Sequence, residues 1–296
     1  MAAQRLLDPQ TLARISTIEL VAKTVVEGFV AGLHRSPYFG ISLEFAEYRP
    51  YVPGDDPRFV DWNVFARTDR TYLKRFLGET NTQLVILFDC SGSMAYSSRG
   101  VSKVEYARFL AASLAYLALK QHDAVSLIVF DEKVRRFLPP STRPGQLQGL
   151  LHALEQAEPA ARTSFQQPFD HFQQFLTRRG LVAVISDFYD HPERILKAAR
   201  PLCFRGNDMI LFHILDPGEL APQLGSSTLL EDMETGERME VAPEFARHEY
   251  RRLIEAHIEE LRRETRGAGA DYLLLDTSRP LDTALKQYLL FRHRRP

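Results

Sequence analysis

The sequence has few of the residues and runs that mark several protein classes. It contains only two cysteines, at positions 90 and 203, whose spacing suggests no zinc site and fits a reducing cytoplasm. No stretch approaches the ~18 apolar residues of a membrane-spanning helix, and the first twenty residues lack the apolar core and cleavage site of a signal peptide. We therefore expect a soluble cytoplasmic protein without an integral membrane segment.

An excess of one charge is also missing. Lys and Arg number 37, Asp and Glu number 38, and the formal net charge is −1. Such a chain has no overall field that would attract nucleic acid, so we expect no nucleic-acid partner. The hydrophobic fraction of 45% and the charged fraction of 25% are those of an ordinary globular protein.

Apolar runs alternate with helical patterns from residue 81 onward. The runs are nearly continuous, which favours strands covered on both faces over half-exposed strands. We expect the central strands at 84–89, 124–130, 181–187 and 208–215. The alternation predicts an α/β fold with a doubly wound, mostly parallel sheet.

We expect the remaining segments to be added around this sheet. Residues 8–33 have helical spacing after an Asp8 cap, which predicts one long amphipathic helix. We expect residues 1–80 to pack on the main domain, because so short a segment with few apolar runs rarely builds its own core. The main domain, 81–296, then carries a hairpin insertion near 227–241, and residues 243–266 form one long charged helix.

Oxygen-bearing side chains follow the first central strand. In "DCSGSM", the side chains of Asp89, Ser91 and Ser93 can converge because Gly92 permits a tight turn. Ligands of open parallel sheets bind at this carboxyl edge, and carboxylate and hydroxyl oxygens suit Mg²⁺ or Mn²⁺. The alternative is a turn that only caps the following segment.

Two more oxygen groups lie where such a site needs them. Thr163 in "RTSF" precedes a helix, and Asp187 in "VISDF" ends another apolar strand. The complete set resembles the metal-ion-dependent adhesion site of von Willebrand factor type A domains, whose motif is D-x-S-x-S with a downstream Thr and a downstream Asp. The residues that carry this resemblance are Asp89, Ser91, Ser93, Thr163 and Asp187.

The resemblance implies a role for each residue. Ser91 and Ser93 would bind the metal directly, Asp89 and Asp187 would bind largely through water, and Thr163 would change with conformation. Neutral hydroxyls leave the metal poorly neutralised, so an open coordination position would attract a carboxylate from a partner.

The segment before the first central strand resembles a second family. Its pattern "GDDPRFVDWNVFAR" looks like the bacterial family catalogued as domain of unknown function 58. Members of that family are similar to proteins encoded beside MoxR-type AAA+ ATPases, which are thought to act as chaperones that mature protein complexes. The resemblance implies an adaptor for such an ATPase or its client. The sequence has no P-loop motif, so ATP hydrolysis would belong to the partner.

Charged residues of this segment offer a docking surface for that partner, with Asp55, Asp56, Arg58 and Arg67 as the candidates. However, the two signs are interleaved, and interleaved charges more often pair with each other or with water. A salt-bridged arrangement around Trp62 is therefore the favoured alternative to docking.

Two other functions fit parts of the pattern. A Mg²⁺-dependent phosphatase-like hydrolase also has an Asp nucleophile at a strand end, but its D-x-D motif has a second acid where this chain has Ser91. A metal-free structural module would keep the fold and lose the cation. We therefore expect a protein that is not an enzyme and that binds proteins through a metal ion.

Overall fold

The computed structural model describes residues 8–33, 45–52, 55, 60–76, 83–160, 162–175 and 179–293. The strands are β1 (Phe45–Pro50), β2 (Tyr72–Phe76), β3 (Gln83–Asp89), β4 (Ala124–Phe130), β5 (Val134–Ser141), β6 (Gly180–Ser186), β7 (Asp208–Leu215), β8 (Thr228–Glu231), β9 (Arg238–Val241) and β10 (Asp271–Asp276). The helices are α1 (Pro9–Leu12), α2 (Ile18–Leu33), α3 (Trp62–Thr68), α4 (Lys103–Lys120), α5 (Gln146–Glu155), α6 (Gln166–Phe175), α7 (Pro192–Phe204), α8 (Pro217–Leu220), α9 (Pro243–Phe245), α10 (Arg251–Gly267) and α11 (Asp282–His293).

A six-stranded sheet forms the centre of the molecule, in the order β10-β7-β6-β3-β4-β5. Neighbouring strands from β10 to β4 are parallel, and β5 pairs antiparallel with β4 at one edge. Strand β3 is buried along its whole length, which explains why its sequence is a continuous apolar run. The prediction of a doubly wound, mostly parallel sheet is confirmed.

Helices cover both faces of the sheet. Side chains of β3 alternate between the faces, so that Leu84, Ile86 and Phe88 join one core while Val85 and Leu87 join the other. The first core is completed by α2, α4, α5 and α11, and the second by α6, α7 and α10. The carboxyl ends of the parallel strands are left at one edge of this sandwich.

The amino-terminal helix shares the first of these cores. Residues Val21, Val25 and Phe29 of α2 are buried there together with residues of α4. The prediction of one uninterrupted helix over 8–33 is wrong, because α1 ends at Leu12 and α2 begins at Ile18. The Thr17 hydroxyl accepts the backbone N–H of Leu20 at 3.3 Å, and this cap starts the second helix.

The shared core gives a test of how the amino-terminal extension is held. We expect Val25→Ala to lower the free energy of unfolding of the whole chain by about 2 kcal/mol, because it removes two methyl groups from a fully buried position. Leu20→Ala on the same helix is the control, since Leu20 is 49% exposed and should cost under about 0.5 kcal/mol. Urea unfolding followed by circular dichroism measures both. An early separate transition that alone responds to Val25→Ala would contradict a common core.

Two other elements can be compared with the sequence prediction, namely the helix expected over 243–266 and the hairpin expected near 227–241. The helix expected over 243–266 is divided into α9, a π-helical segment at Ala246–Tyr250, and α10. The hairpin forms from β8 and β9, which pair antiparallel from Thr228 to Val241. No helix among the described residues is apolar and long enough to cross a membrane.

Candidate metal centre

Asp89 ends β3 at the centre of the carboxyl edge and is fully buried. Its Oδ1 accepts the backbone N–H of Ser91 at 2.8 Å, and its Oδ2 accepts the hydroxyl of Ser186 at 2.5 Å. Since Ser186 ends the neighbouring strand β6, the Asp89 carboxylate both shapes the serine turn and joins two strand ends.

The two serines of the motif lie beside each other on this turn. Ser91 is fully buried, and its Oγ lies 3.2 Å from the Oγ of Ser93 in a 3-10 turn over Gly92–Ala95. The close approach of these hydroxyls follows from the tight 3-10 turn.

Asp187 follows β6, is fully buried, and lies close enough for its charge to act on Asp89. Its Oδ2 accepts a hydrogen bond from Lys103 Nζ at 2.7 Å, whereas its buried Oδ1 has no hydrogen-bond partner among the described residues. A buried carboxylate oxygen without a partner is costly, so such an atom points to a ligand. The next residue, Phe188, has a left-handed backbone with φ of 50°, a strained conformation that is frequent at functional sites.

Lys103 is a part of this edge that the sequence did not reveal. Its side chain is fully buried, and its Nζ contacts both Asp187 Oδ2 at 2.7 Å and Glu219 Oε1 at 2.5 Å. Burial acts to lower the pKa of Lys103, but the charges of Asp187 and Glu219 raise it above its ordinary value. Lys103 is therefore an ammonium ion held between two carboxylates.

The buried carboxylates affect each other. Burial, and then the negative charge of Asp187, raises the pKa of Asp89 to about 7, although hydrogen bonds from Ser186 and Ser91 act in the opposite direction. Without another cation, Asp89 binds a proton near neutral pH. A divalent ion at this edge would replace that proton.

Thr163 is brought to the same edge by its loop. The backbone N–H of Ala160 donates to the carbonyl of Cys90 at 3.0 Å, and that of Ser164 donates to the carbonyl of Asp131 at 3.1 Å, so the loop crosses the ends of β3 and β4. Thr163 itself donates to Glu234, from its N–H at 3.1 Å and from its Oγ1 at 2.8 Å. Glu234 belongs to the β8–β9 turn and was not a candidate from the sequence.

Cys90 lies between Asp89 and Ser91 in the chain, and its thiol is hydrogen-bonded away from the serine turn, to β4. Its thiol is 2% exposed and donates to the carbonyl of Phe130 at 3.1 Å. Burial, followed by the charges of Asp89 and Asp131, raises its pKa to about 12, so the sulfur stays protonated.

Two of the four predicted docking residues, Asp55 and Arg67, lie among the described residues. Asp55 accepts hydrogen bonds from Arg49 at 2.6 Å and from the backbone N–H of Val52 at 2.8 Å, which is the structural pairing favoured above. Arg67 is exposed at the end of α3, while Asp56 and Arg58 lie outside the described residues. Trp62 is 60% exposed at the start of α3.

These donors fit a small, oxygen-liganded cation. No group of three His, Cys, Asp or Glu side chains that could hold a metal occurs in the described part of the chain. A metal at this edge would therefore depend on the serine hydroxyls as well as on Asp89 and the unpaired Oδ1 of Asp187. Mg²⁺ and Mn²⁺ accept such mixed oxygen ligands and keep waters in the remaining positions.

The strand order and the helices on both faces define an α/β protein with a six-stranded, mostly parallel central sheet. The chain belongs to the family described as "Protein of unknown function DUF58", which matches residues 47–260.

Individual proteins with similar sequences or folds include relatives from mycobacteria. Uncharacterized protein Rv1480 of Mycobacterium tuberculosis and Uncharacterized protein Mb1516 of Mycobacterium bovis are each 26% identical over 292 residues, which cover 97% of this chain and 91% of theirs. The crystal structure of conserved hypothetical protein BatB from Bacteroides thetaiotaomicron has a TM-score of 0.51 at 18% identity, and covers 72% of this chain and 99% of BatB. The SpRpn10 VWA domain matches with a TM-score of 0.42 at 11% identity, over 70% of this chain and 94% of that domain.

Proposed function

We propose that this protein is a non-enzymatic binding module that holds Mg²⁺ or Mn²⁺ at the carboxyl edge of its sheet and uses the ion to bind an acidic residue of a partner protein. The observation that carries the proposal is the buried, unpartnered Oδ1 of Asp187, which lies at the same edge as the Asp89 carboxylate and two adjacent serine hydroxyls.

Each side chain has a separate task in this proposal. Ser91, Ser93 and Thr163 provide neutral oxygens that would hold the ion, while Asp89 and Asp187 provide charge and orient the ligands. The bound ion would supply a positive centre for a carboxylate. Asp89 already fixes the turn through the Ser91 N–H, so little rearrangement is needed before a cation binds.

The same contacts support a role other than catalysis. The hydroxyl of Ser91 is paired with that of Ser93, and Lys103, a basic side chain at this edge, is held as an ammonium ion by two carboxylates. A serine nucleophile needs a free base within hydrogen-bond distance, and Lys103 cannot provide one in this state.

We propose a MoxR-type AAA+ ATPase or its client as the partner. This part of the proposal is supported by membership of the family that matches 47–260 and by the resemblance of its members to proteins encoded beside such ATPases.

A metal-free structural module is the second candidate, and Lys103 is the observation in its favour. The ammonium already gives Asp187 one positive partner at 2.7 Å, as a metal would. Calorimetric titration of the purified protein with Mg²⁺ separates the candidates, because the structural module would give no binding heat.

The proposed function predicts that binding of a MoxR-type AAA+ ATPase requires a divalent cation. We expect chelation by EDTA to abolish the interaction and Ser91→Ala to weaken it at least about tenfold, because the variant removes a metal oxygen. Ser97→Ala in the same loop is the control, since Ser97 is exposed. A titration of the ATPase with and without chelator measures the affinity. Equal affinity in both conditions would refute metal-dependent docking, and loss of binding in Arg67→Glu alone would assign docking to the amino-terminal segment instead.

A further inference from the structure

The carboxylate of Glu234 binds Thr163 at two points. Thr163 lies at the carboxyl edge of the sheet where we propose the metal site, which we call the metal edge. Both hydrogen-bond donors of Thr163 face it, the backbone N–H at 3.1 Å from one oxygen and the hydroxyl at 2.8 Å from the other. These groups are 71 residues apart in the chain, so the contact exists only because the β8–β9 hairpin folds over the loop that carries Thr163. Two-point binding of a carboxylate is directional as well as stronger than a single neutral hydrogen bond.

The turn of the hairpin is built so that Glu234 has a fixed direction. The Asp232 Oδ1 accepts the backbone N–H of Glu234 at 2.9 Å and that of Thr235 at 2.6 Å. Gly236 completes the turn with a φ of 72°, and its N–H donates to the Asp232 carbonyl at 2.8 Å. Every other residue of the stretch 231–240 is exposed, whereas Glu234 is half-buried.

Apolar burial does little to hold the outer part of this hairpin, since Val241 at the end of β9 is its buried apolar residue. Leu229 is 61% exposed, Leu230 42% and Met239 59%. An isolated two-stranded hairpin has marginal stability in water. The contact of Glu234 with Thr163 is therefore a main anchor of the hairpin tip among the described residues.

We propose that the hairpin closes the metal edge in the resting protein, and that Glu234 is the chain's own acidic group that an acidic partner residue must displace. The inference rests on the proposed function, because it concerns the residue, Thr163, that would join the metal ligands there. It adds a regulated step: the partner binds only the fraction of molecules in which the hairpin has opened.

Because only open molecules bind, the apparent affinity for a partner equals the intrinsic affinity multiplied by the fraction of molecules that are open. Breaking the Glu234 contact raises that fraction, so a variant that weakens the closed state should bind a partner more tightly. A residue that merely belonged to the binding surface would have the opposite effect when it is removed.

The closed state can be tested without metal or partner. In EDTA, we expect Glu234→Gln to increase amide hydrogen exchange in peptides that cover 228–241 by about tenfold, because Gln keeps one acceptor oxygen and loses the charge. Glu237→Gln is the matched control, since Glu237 is an exposed acid of the same turn. Hydrogen exchange read by mass spectrometry gives the rates. Equal rates in Glu234→Gln and the wild-type protein would overturn the inference, whatever the metal does.

Binding to a MoxR-type AAA+ ATPase in Mg²⁺ then tests the displacement. We expect Glu234→Gln to bind it about tenfold more tightly than Glu237→Gln, which should match the wild-type protein. Weaker binding by Glu234→Gln would overturn the inference and make Glu234 part of the docking surface. If no form binds the ATPase, the proposed function fails, and the exchange experiment still decides whether Glu234 holds the hairpin closed.

Discussion

Replacing Lys103 with methionine is expected to lower the free energy of unfolding by about 3–5 kcal/mol, which is the usual cost of removing one member of a buried ion pair. The Lys103 side chain is fully buried, and its ammonium is hydrogen-bonded to Asp187 and Glu219. Methionine fills similar space but leaves the Asp187 carboxylate buried beside Asp89 without a cation. The loss arises from that uncompensated charge and not from a cavity.

Urea unfolding in EDTA measures this effect. Lys120→Met at the other end of α4 is the control, since Lys120 is exposed and should change stability by less than about 0.5 kcal/mol. A second variant, Asp187→Asn, removes the charge that Lys103 neutralises. We expect the double variant to be more stable than the sum of the single losses predicts. Strict additivity would show that the pair contributes no coupling energy.

Asp89→Asn is expected to abolish Mg²⁺ binding and at the same time to stabilise the metal-free protein at pH 8 by up to about 4 kcal/mol. The pKa of Asp89 is raised from 3.8 to about 7, chiefly by burial and then by the charge of Asp187. Between these values the folded protein holds a proton that the unfolded chain has released, so stability falls as the pH rises through this window. Above about pH 7 the folded protein bears the full cost of keeping the Asp89 carboxylate buried and ionised. The neutral amide of the Asn variant avoids this cost.

Calorimetry with Mg²⁺ and urea unfolding in EDTA at pH 5 and pH 8 test both parts. The gain in stability over the wild-type protein should be larger at pH 8 than at pH 5, where the folded wild-type carboxyl is still protonated. Asp170→Asn on the exposed side of α6 is the control and should leave Mg²⁺ binding unchanged. Undiminished Mg²⁺ binding by Asp89→Asn would remove Asp89 from the site.

The sheet and part of its edge were predictable because their signals are local. Strands such as β3 are buried on both faces and therefore appear in the sequence as continuous apolar runs. Asp89, Ser91 and Ser93 lie within one turn, so their spacing alone indicates that they converge. The break between α1 and α2 was missed because apolar spacing continues across it, and only the Thr17 cap marks the new start.

The rest of the edge depends on contacts between distant parts of the chain. Lys103 meets Asp187 over 84 residues and Glu219 over 116, and its sequence context is that of any lysine in the first turn of a helix. Glu234 occupies an ordinary hairpin turn, and only the folded position of that turn brings it to Thr163. No residue pattern near either position distinguishes it from a surface charge.

The burial of Cys90 allows opening of this edge to be timed chemically. A thiol reagent in solution cannot reach a sulfur that is 2% exposed, so Cys90 is alkylated only during moments when the turn around Asp89 and Ser91 separates from its neighbours. The other cysteine, Cys203, is partly exposed and reacts without such opening, and replacing it with serine leaves a single slow label. At a reagent concentration high enough that labelling outpaces reclosing, the labelling rate of Cys90 equals the rate at which the centre of the sheet edge opens.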